Sequence, residues 1–241
     1  MKSKNNIFLN GIKDGIPICL GYLSVSFAFG IFSVGSGLSV LETVLISMTN
    51  VTSAGQLAAV PIIAGGGSLF ELAMTQFVIN LRYSLMSVSL SQKLGSSVRM
   101  IDRFLIAFVN TDEVFAVALG KGGNLDRKYL YGLIITPYLG WSTGTFLGAV
   151  AGNILPEIVV SALGIAIYGM FIAIIIPPAK KSRPTALCIL FAMALSCAFK
   201  YIPALGVIPS GFVIIICAVA ASVLFALVAP VPQEKEVAEN E

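Results

Sequence analysis

Apolar residues run along this chain in long blocks, broken by short clusters of glycine, proline and charge. Eight blocks reach or approach the roughly 20 residues that a helix needs to cross a bilayer. They are 16–34, 40–64, 69–92, 104–119, 129–151, 158–176, 185–199 and 207–229. The connections are short, so the pattern predicts an all-α fold: a polytopic membrane helical bundle of seven to eight apolar segments. Residues 1–232 read as one integral membrane domain, and residues 233–241 as a short acidic, solvated tail carrying Glu234, Glu236, Glu239 and Glu241. Lys2, Lys4 and Lys13 ahead of the first block look like the start of a signal peptide. The apolar run that follows is about 19 residues, longer than the core of such a peptide, and is read as a retained first span.

The placement of Lys and Arg constrains the path. Basic clusters fall at Lys2/Lys4/Lys13, Lys93/Arg99/Arg103, Lys121/Arg127/Lys128 and Lys180/Lys181/Arg183, while 35–39, 65–68 and 152–157 carry none. If every block crossed, the second and third clusters would face opposite sides. All four face the cytoplasm only if one block among the first three and one among the fourth to sixth turn back. The second block holds Thr49, Asn50, Thr52, Ser53, Gly55 and Gln56 near its middle, and the fourth is short with Asn110, Asp112 and Glu113 at its centre. Interrupted polar segments are tolerated at membrane depth only where they line a cavity or are buried in protein. Both are therefore expected to be broken or re-entrant, with both termini cytoplasmic; eight plain crossings are the alternative.

Composition supports the membrane class and removes several chemistries. Of the 241 residues, 57% are hydrophobic and 11% charged, against roughly a quarter charged in soluble domains. The absence of histidine rules out a Ser-His-Asp triad and histidine-ligated zinc or haem. No phosphate-binding GxxxxGK[ST] occurs. The four cysteines, Cys19, Cys188, Cys197 and Cys217, lie singly in apolar runs and read as small core residues. No catalytic residue, metal site, cofactor or nucleic-acid partner is expected, and no nucleophile motif points to an enzyme.

Polar residues inside the blocks carry the remaining information, because each costs a few kcal/mol in hydrocarbon. Thr49, Thr52, Ser53 and Gln56 follow an i, i+3, i+4, i+7 spacing, with Glu42 on the same face two turns earlier. That stripe reads as the wall of a water-filled path or as interhelical hydrogen bonding. Arg82 is the one basic residue deep in a block; Asn80 lies about 160° away on a regular helix and is expected to make different contacts. A guanidinium keeps its proton and grips carboxylates with two prongs. Its expected partners are Asp112 or Glu113, or a substrate carboxylate. A partly buried acid can hold a proton near neutral pH, so Asp112 and Glu113 are candidates for proton coupling or charge balance. Gly140, Gly144, Gly148 and Gly152 form a ridge along which another helix packs closely, inside the chain or from a second subunit. Pro17–Gly30 and Pro137–Gly148 share a proline followed by spaced glycines, a faint trace of a half-repeat.

Four stretches together resemble the AzlC family, the large subunit of branched-chain amino acid exporters. They are the run from Ser47 through Thr49, Asn50, Thr52 and Ser53 to Gln56, the run Ile79-Asn80-Leu81-Arg82-Tyr83 through Met86, the Asp112-Glu113-x-Phe115 patch, and Pro137 through Gly140-Trp141. The family often has His where this chain has Tyr83. The resemblance implies export of valine, leucine or isoleucine across the cytoplasmic membrane, together with a small AzlD-type membrane subunit. The substrate-binding candidates rest on the residues themselves, as the polar positions within these stretches: Arg82, Asn80, Thr49, Thr52, Ser53 and Gln56. A passive channel or a non-transporting subunit is the alternative.

Overall fold

The computed structural model describes residues 4–156, 175–205 and 207–229, with isolated positions 158, 169 and 172. It is all helical: α1 (Lys4–Gly35), α2 (Val40–Thr49), α3 (Ser53–Ala64), α4 (Leu69–Ser91), α5 (Met100–Phe108), α6 (Asp112–Gly120), α7 (Arg127–Ile154), α8 (Arg183–Tyr201) and α9 (Ser210–Val228). Helices α1, α8 and α9 are long and apolar enough to cross a membrane. Helices α4 and α7, at 23 and 28 residues, have the length as well. Most of block 158–176, and the acidic tail, lie outside the described residues.

Helices α1 and α7 run parallel in a fixed register, with Gly11 against Gly132, Cys19 against Gly140, Phe27 against Gly148 and Ile31 against Gly152. The partner of the glycine ridge is thus internal. A Cβ on Gly148 would lie 2.7 Å from the carbonyl carbon of Phe27, and one on Gly140 would lie 2.6 Å from the Cys19 carbonyl oxygen. Only glycine lets the two backbones come this close. The two proline–glycine stretches noted in the sequence are the segments that face each other here.

The second and fourth blocks are each broken into two half-helices, and each returns to the end of the bundle it came from. Helix α2 leaves the end of α1, where Ser33 and Thr43 hydroxyls meet at 2.9 Å, and reaches Thr145 in the middle of α7 through Ser47 at 2.6 Å. After the break at Asn50–Thr52, α3 climbs back along α4 to the turn at Gly66, whose φ of +68° suits glycine. Helix α4 then runs the length of the bundle. At its far end, Gly95 and Leu125 exchange backbone hydrogen bonds with the strip around Lys93 (Gly95 N–H to Leu125 O 2.9 Å, Leu125 N–H to Lys93 O 2.8 Å). The two ends of the α5–α6 hairpin therefore lie side by side. The Lys121 ammonium sits 2.7 Å from Asp14 of α1, and the Lys93 ammonium donates to the carbonyl oxygens of Leu119 and Lys121. The second and third basic clusters thus share one end of the bundle, together with the stretch of α1 that carries Lys13 and Asp14. The Gly211 N–H at the start of α9 donates to Glu71 at the start of α4 (2.8 Å), which puts both at the opposite end. Helix α8 packs against α9, joined by a short turn at Pro203–Leu205. Its basic start consequently lies at the basic end too.

The half-helices have 10, 12, 9 and 9 residues, about 13–18 Å each at 1.5 Å per residue. That is about half the roughly 30 Å of a bilayer core, and the two hairpins enter the bundle from opposite ends and meet near its middle. The broken fourth segment starts at Met100, earlier than the apolar pattern indicated, because Arg99, Asp102 and Arg103 begin the helix at the basic end.

A Gly148→Ala variant is expected to lose about 1–3 kcal/mol of stability through overpacking against Phe27, while Gly152→Ala, whose new Cβ would find its nearest neighbour at 3.4 Å, should be nearly neutral. Thermal unfolding of the two variants in detergent checks this ordering.

Candidate functional site

Each break has a local cause. Asn50 ends α2, and the Thr52 hydroxyl accepts the Gly55 N–H to start α3 at 3.2 Å. Thr111 does the same for α6, accepting from Val114. Threonine at such a position satisfies N–H groups that would otherwise be orphaned in apolar surroundings. The chain between the half-helices is extended at Thr52 and Thr111, so α3 and α6 both begin there, each with one N–H capped by its threonine; the first turn of α6 carries Asp112 and Glu113, whereas that of α3 carries no acid.

Both N-termini open on one cavity of about 300 Å³, bounded by Val51, Thr52 and Ser53 from the first hairpin, Thr111, Asp112 and Glu113 from the second, Arg82 and Tyr83 from α4, and Tyr22 and Trp141 from α1 and α7. Arg82 reaches Asp112 at 2.9 Å, with both side chains about half exposed. Its guanidinium also donates to the Tyr83 hydroxyl at 2.9 Å and lies over that ring. The Tyr22 hydroxyl donates to the Glu113 carboxylate and lies 2.5 Å from the Thr111 hydroxyl. Tyr22 meets Trp141 edge-on, with ring centroids 5.0 Å apart. The two neighbouring acids are thus separated: Asp112 faces the cation and Glu113 faces the phenol.

A second cavity of about 180 Å³ shares Val51, Thr52 and Tyr83 with the first. Thr49, Asn50, Asn80, Ala107, Phe108 and Asn110 complete it, all from the other side of the two breaks or from α4.

These positions revise several expectations. The Thr49–Gln56 stripe is not one helix face, because the helix is interrupted within it. Thr52 and Ser53 line the larger cavity and Thr49 the smaller one. Gln56 is 1% exposed and lines neither cavity; its amide has no partner among the described residues. Glu42 caps its own helix through Ser39 at the far end (Ser39 N–H to Glu42 2.8 Å). Asn80 faces the smaller cavity and donates to Gln76 at 3.2 Å. Tyr22, Trp141 and Thr111 belong to the site but carried no signal as site residues in an apolar run. The breaks did carry a signal, since Asn followed within two residues by Thr twice marks a helix end and a new cap.

Comparison with known proteins places this arrangement. A family model described as AzlC protein matches residues 17–155, a stretch running from α1 through both hairpins to the end of α7. The inner membrane protein YgaZ of Escherichia coli strain K12 is 31% identical over 193 residues, covering 77% of this chain and 78% of that protein. An uncharacterized membrane protein of Archaeoglobus fulgidus is 31% identical over 208 residues, covering 86% and 91%. No solved structure gives a significant match.

A cysteine introduced at Ser53 is expected to react with a charged, water-borne thiol reagent at least about tenfold faster than one at Gln56, since a thiol must be reached from water to react. Equal protection of both would show that the cavity is closed to solvent.

Proposed function

The chain belongs to the AzlC family of membrane proteins, and from that membership we propose that it is a secondary exporter of branched-chain amino acids in the cytoplasmic membrane. The observation that carries this reading is the meeting of two half-helix N-termini and one guanidinium at an open cavity. Each N-terminus bears about half a positive charge, and broken helices of transporters aim such ends at anionic substrate groups. Arg82 and Asp112 already hold each other. A zwitterionic amino acid can replace that one ion pair by two, its carboxylate on Arg82 and the uncapped N–H groups at the start of α3, its ammonium on Asp112. The exchange keeps charge balanced at every stage, which matters where water is scarce.

Ser53 and Thr52 supply hydroxyls beside the same N-terminus, while Ile79, Val51 and Trp141 offer apolar wall to an aliphatic side chain. Apolar contacts distinguish one methylene by only about 1–3 kcal/mol, so selectivity among valine, leucine and isoleucine should be loose. Asp112 and Glu113 are the acids that serve charge balance or proton coupling, Asp112 on the Arg82 side of the cavity and Glu113 on the Tyr22 side. The basic end of the bundle faces the cytoplasm by the charge bias of membrane insertion. A small AzlD-type membrane subunit completes the exporter.

Efflux from cells loaded with a valine-containing dipeptide tests this reading. Arg82→Ala should lower valine efflux by about tenfold or more, because it removes charge-assisted hydrogen bonds, and Arg82→Lys should fall between, keeping the charge without the fork. Collapse of the proton gradient should slow efflux by the wild type, whereas a passive channel would be indifferent to it. Normal valine export by the Arg82→Ala strain would contradict the role given to the guanidinium, and undiminished export after deletion of the small subunit would remove the partner.

A further inference from the structure

The two cavities differ in which helix ends they see. The larger one lies at the N-termini of α3 and α6. The smaller one takes Thr49 and Asn50 from the end of α2, and Ala107, Phe108 and Asn110 from the end of α5. Helix C-termini present carbonyl oxygens and about half a negative charge each. One break in each hairpin thus produces a positive end facing one cavity and a negative end facing the next.

The side chains of the smaller cavity reinforce the sign. Gln76 donates its amide hydrogen to the Gly55 carbonyl at 2.8 Å, which fixes its own oxygen as the acceptor for Asn50 at 2.9 Å and Asn80 at 3.2 Å. Asn80 therefore commits its NH₂ and turns its Oδ1 free. Asn110 commits its NH₂ to the Ser87 hydroxyl at 3.3 Å, and its Oδ1 is free as well. Both oxygens are buried with no hydrogen-bond partner among the described residues, and Asn110 as a whole is 2% exposed. A buried acceptor left unmet is costly and calls for an explanation. Here the two asparagines that carry them border one cavity together with Thr49 and Thr52, with the oxygens themselves buried at its wall, and no Lys or Arg is among the residues that line it.

We propose that this smaller cavity is a binding site for a monovalent metal cation of the sodium class, held by uncharged oxygens: Oδ1 of Asn80 and Asn110, with hydroxyl and carbonyl oxygens at the ends of α2 and α5. Neutral oxygens without a carboxylate suit a singly charged ion; calcium and magnesium sites draw on carboxylates. The pairing of anion at half-helix N-termini with cation at half-helix C-termini is a general logic of broken transporter helices. The ion lies one shared wall, Val51, Thr52 and Tyr83, from the proposed amino-acid site, so its occupancy can couple to substrate binding. The site stands on the broken-hairpin geometry, so cation binding can be measured without transport.

The full chain purified in detergent is unfolded by heat in choline chloride and in sodium chloride at constant ionic strength. The melting temperature should rise with the logarithm of sodium concentration, by about 3–5 °C up to about 100 mM. Asn110→Ala and Asn80→Ala should lose most of that shift. Asn110→Asp, which puts a charged oxygen where the free carbonyl stands, should reach its half-effect at about tenfold lower sodium, as a higher ligand charge tightens cation sites. Equal melting of the wild type in sodium and choline would overturn the proposal, as would a full sodium shift in both alanine variants. Stabilisation by valine in choline that is lost in Asn110→Ala, with no sodium effect at all, would overturn it too and give the cavity to the substrate's ammonium group.

Discussion

A helix that stops inside a membrane leaves backbone N–H and C=O groups without partners, and the rest of this structure is arranged around that problem. Among the described residues two such stops occur, at Asn50–Thr52 and at Val109–Thr111. In hydrocarbon each unsatisfied group costs several kcal/mol. Threonine caps meet part of the need and a polar cavity meets the remainder. Because peptide dipoles are directional, a break creates ends of opposite sign a few residues apart. Two hairpins entering from opposite ends bring two breaks together, so their like ends gather on like sides.

A rigid frame is needed to hold the tips in place. Helices α1 and α7 provide it through glycine-to-backbone contacts along their shared length, and Tyr22 and Trp141 hang from that frame directly over the cavity. Helix α4 supplies the third wall with Arg82, and its Glu71 caps the start of α9. At the basic end, Lys93 holds the carbonyl end of α6, and Lys121 pairs with Asp14. The hairpin carrying both acids is therefore tied at its base while its tip faces the open cavity. Arg82 and Asp112 are about half exposed, which leaves their ion pair available for exchange.

Much of this was legible in the residues. The basic clusters could share a side only if two segments turned back, and Thr49–Gln56 and Asn110–Glu113 named which two. Charge in a low-dielectric setting pointed Arg82 to Asp112, Glu113 or a substrate carboxylate, and the fold brings Asp112 to it. What failed was the assumption of helical continuity: 100° per residue is meaningless across a break, so Gln56 and Glu42 were assigned a face they do not share with Ser53. Tyr22 escaped notice because a tyrosine in an apolar helix reads as packing, and only the fold brings Glu113, some 90 positions later, to its hydroxyl. The partner of the glycine ridge was also undetermined, because close approach along a ridge is the same physics within a chain and between chains.

The sidedness of four single cysteines, placed at Ser97, Asn124, Ser39 and Ser68 in a chain freed of its native cysteines, addresses the opposed hairpins most directly. All four positions are exposed and lie at hairpin bases. An impermeant thiol reagent should label 97 and 124 from the cytoplasmic face and 39 and 68 from the other. Labelling of 97 and 124 from opposite faces would make 100–120 a plain crossing and dissolve the paired cavities with it.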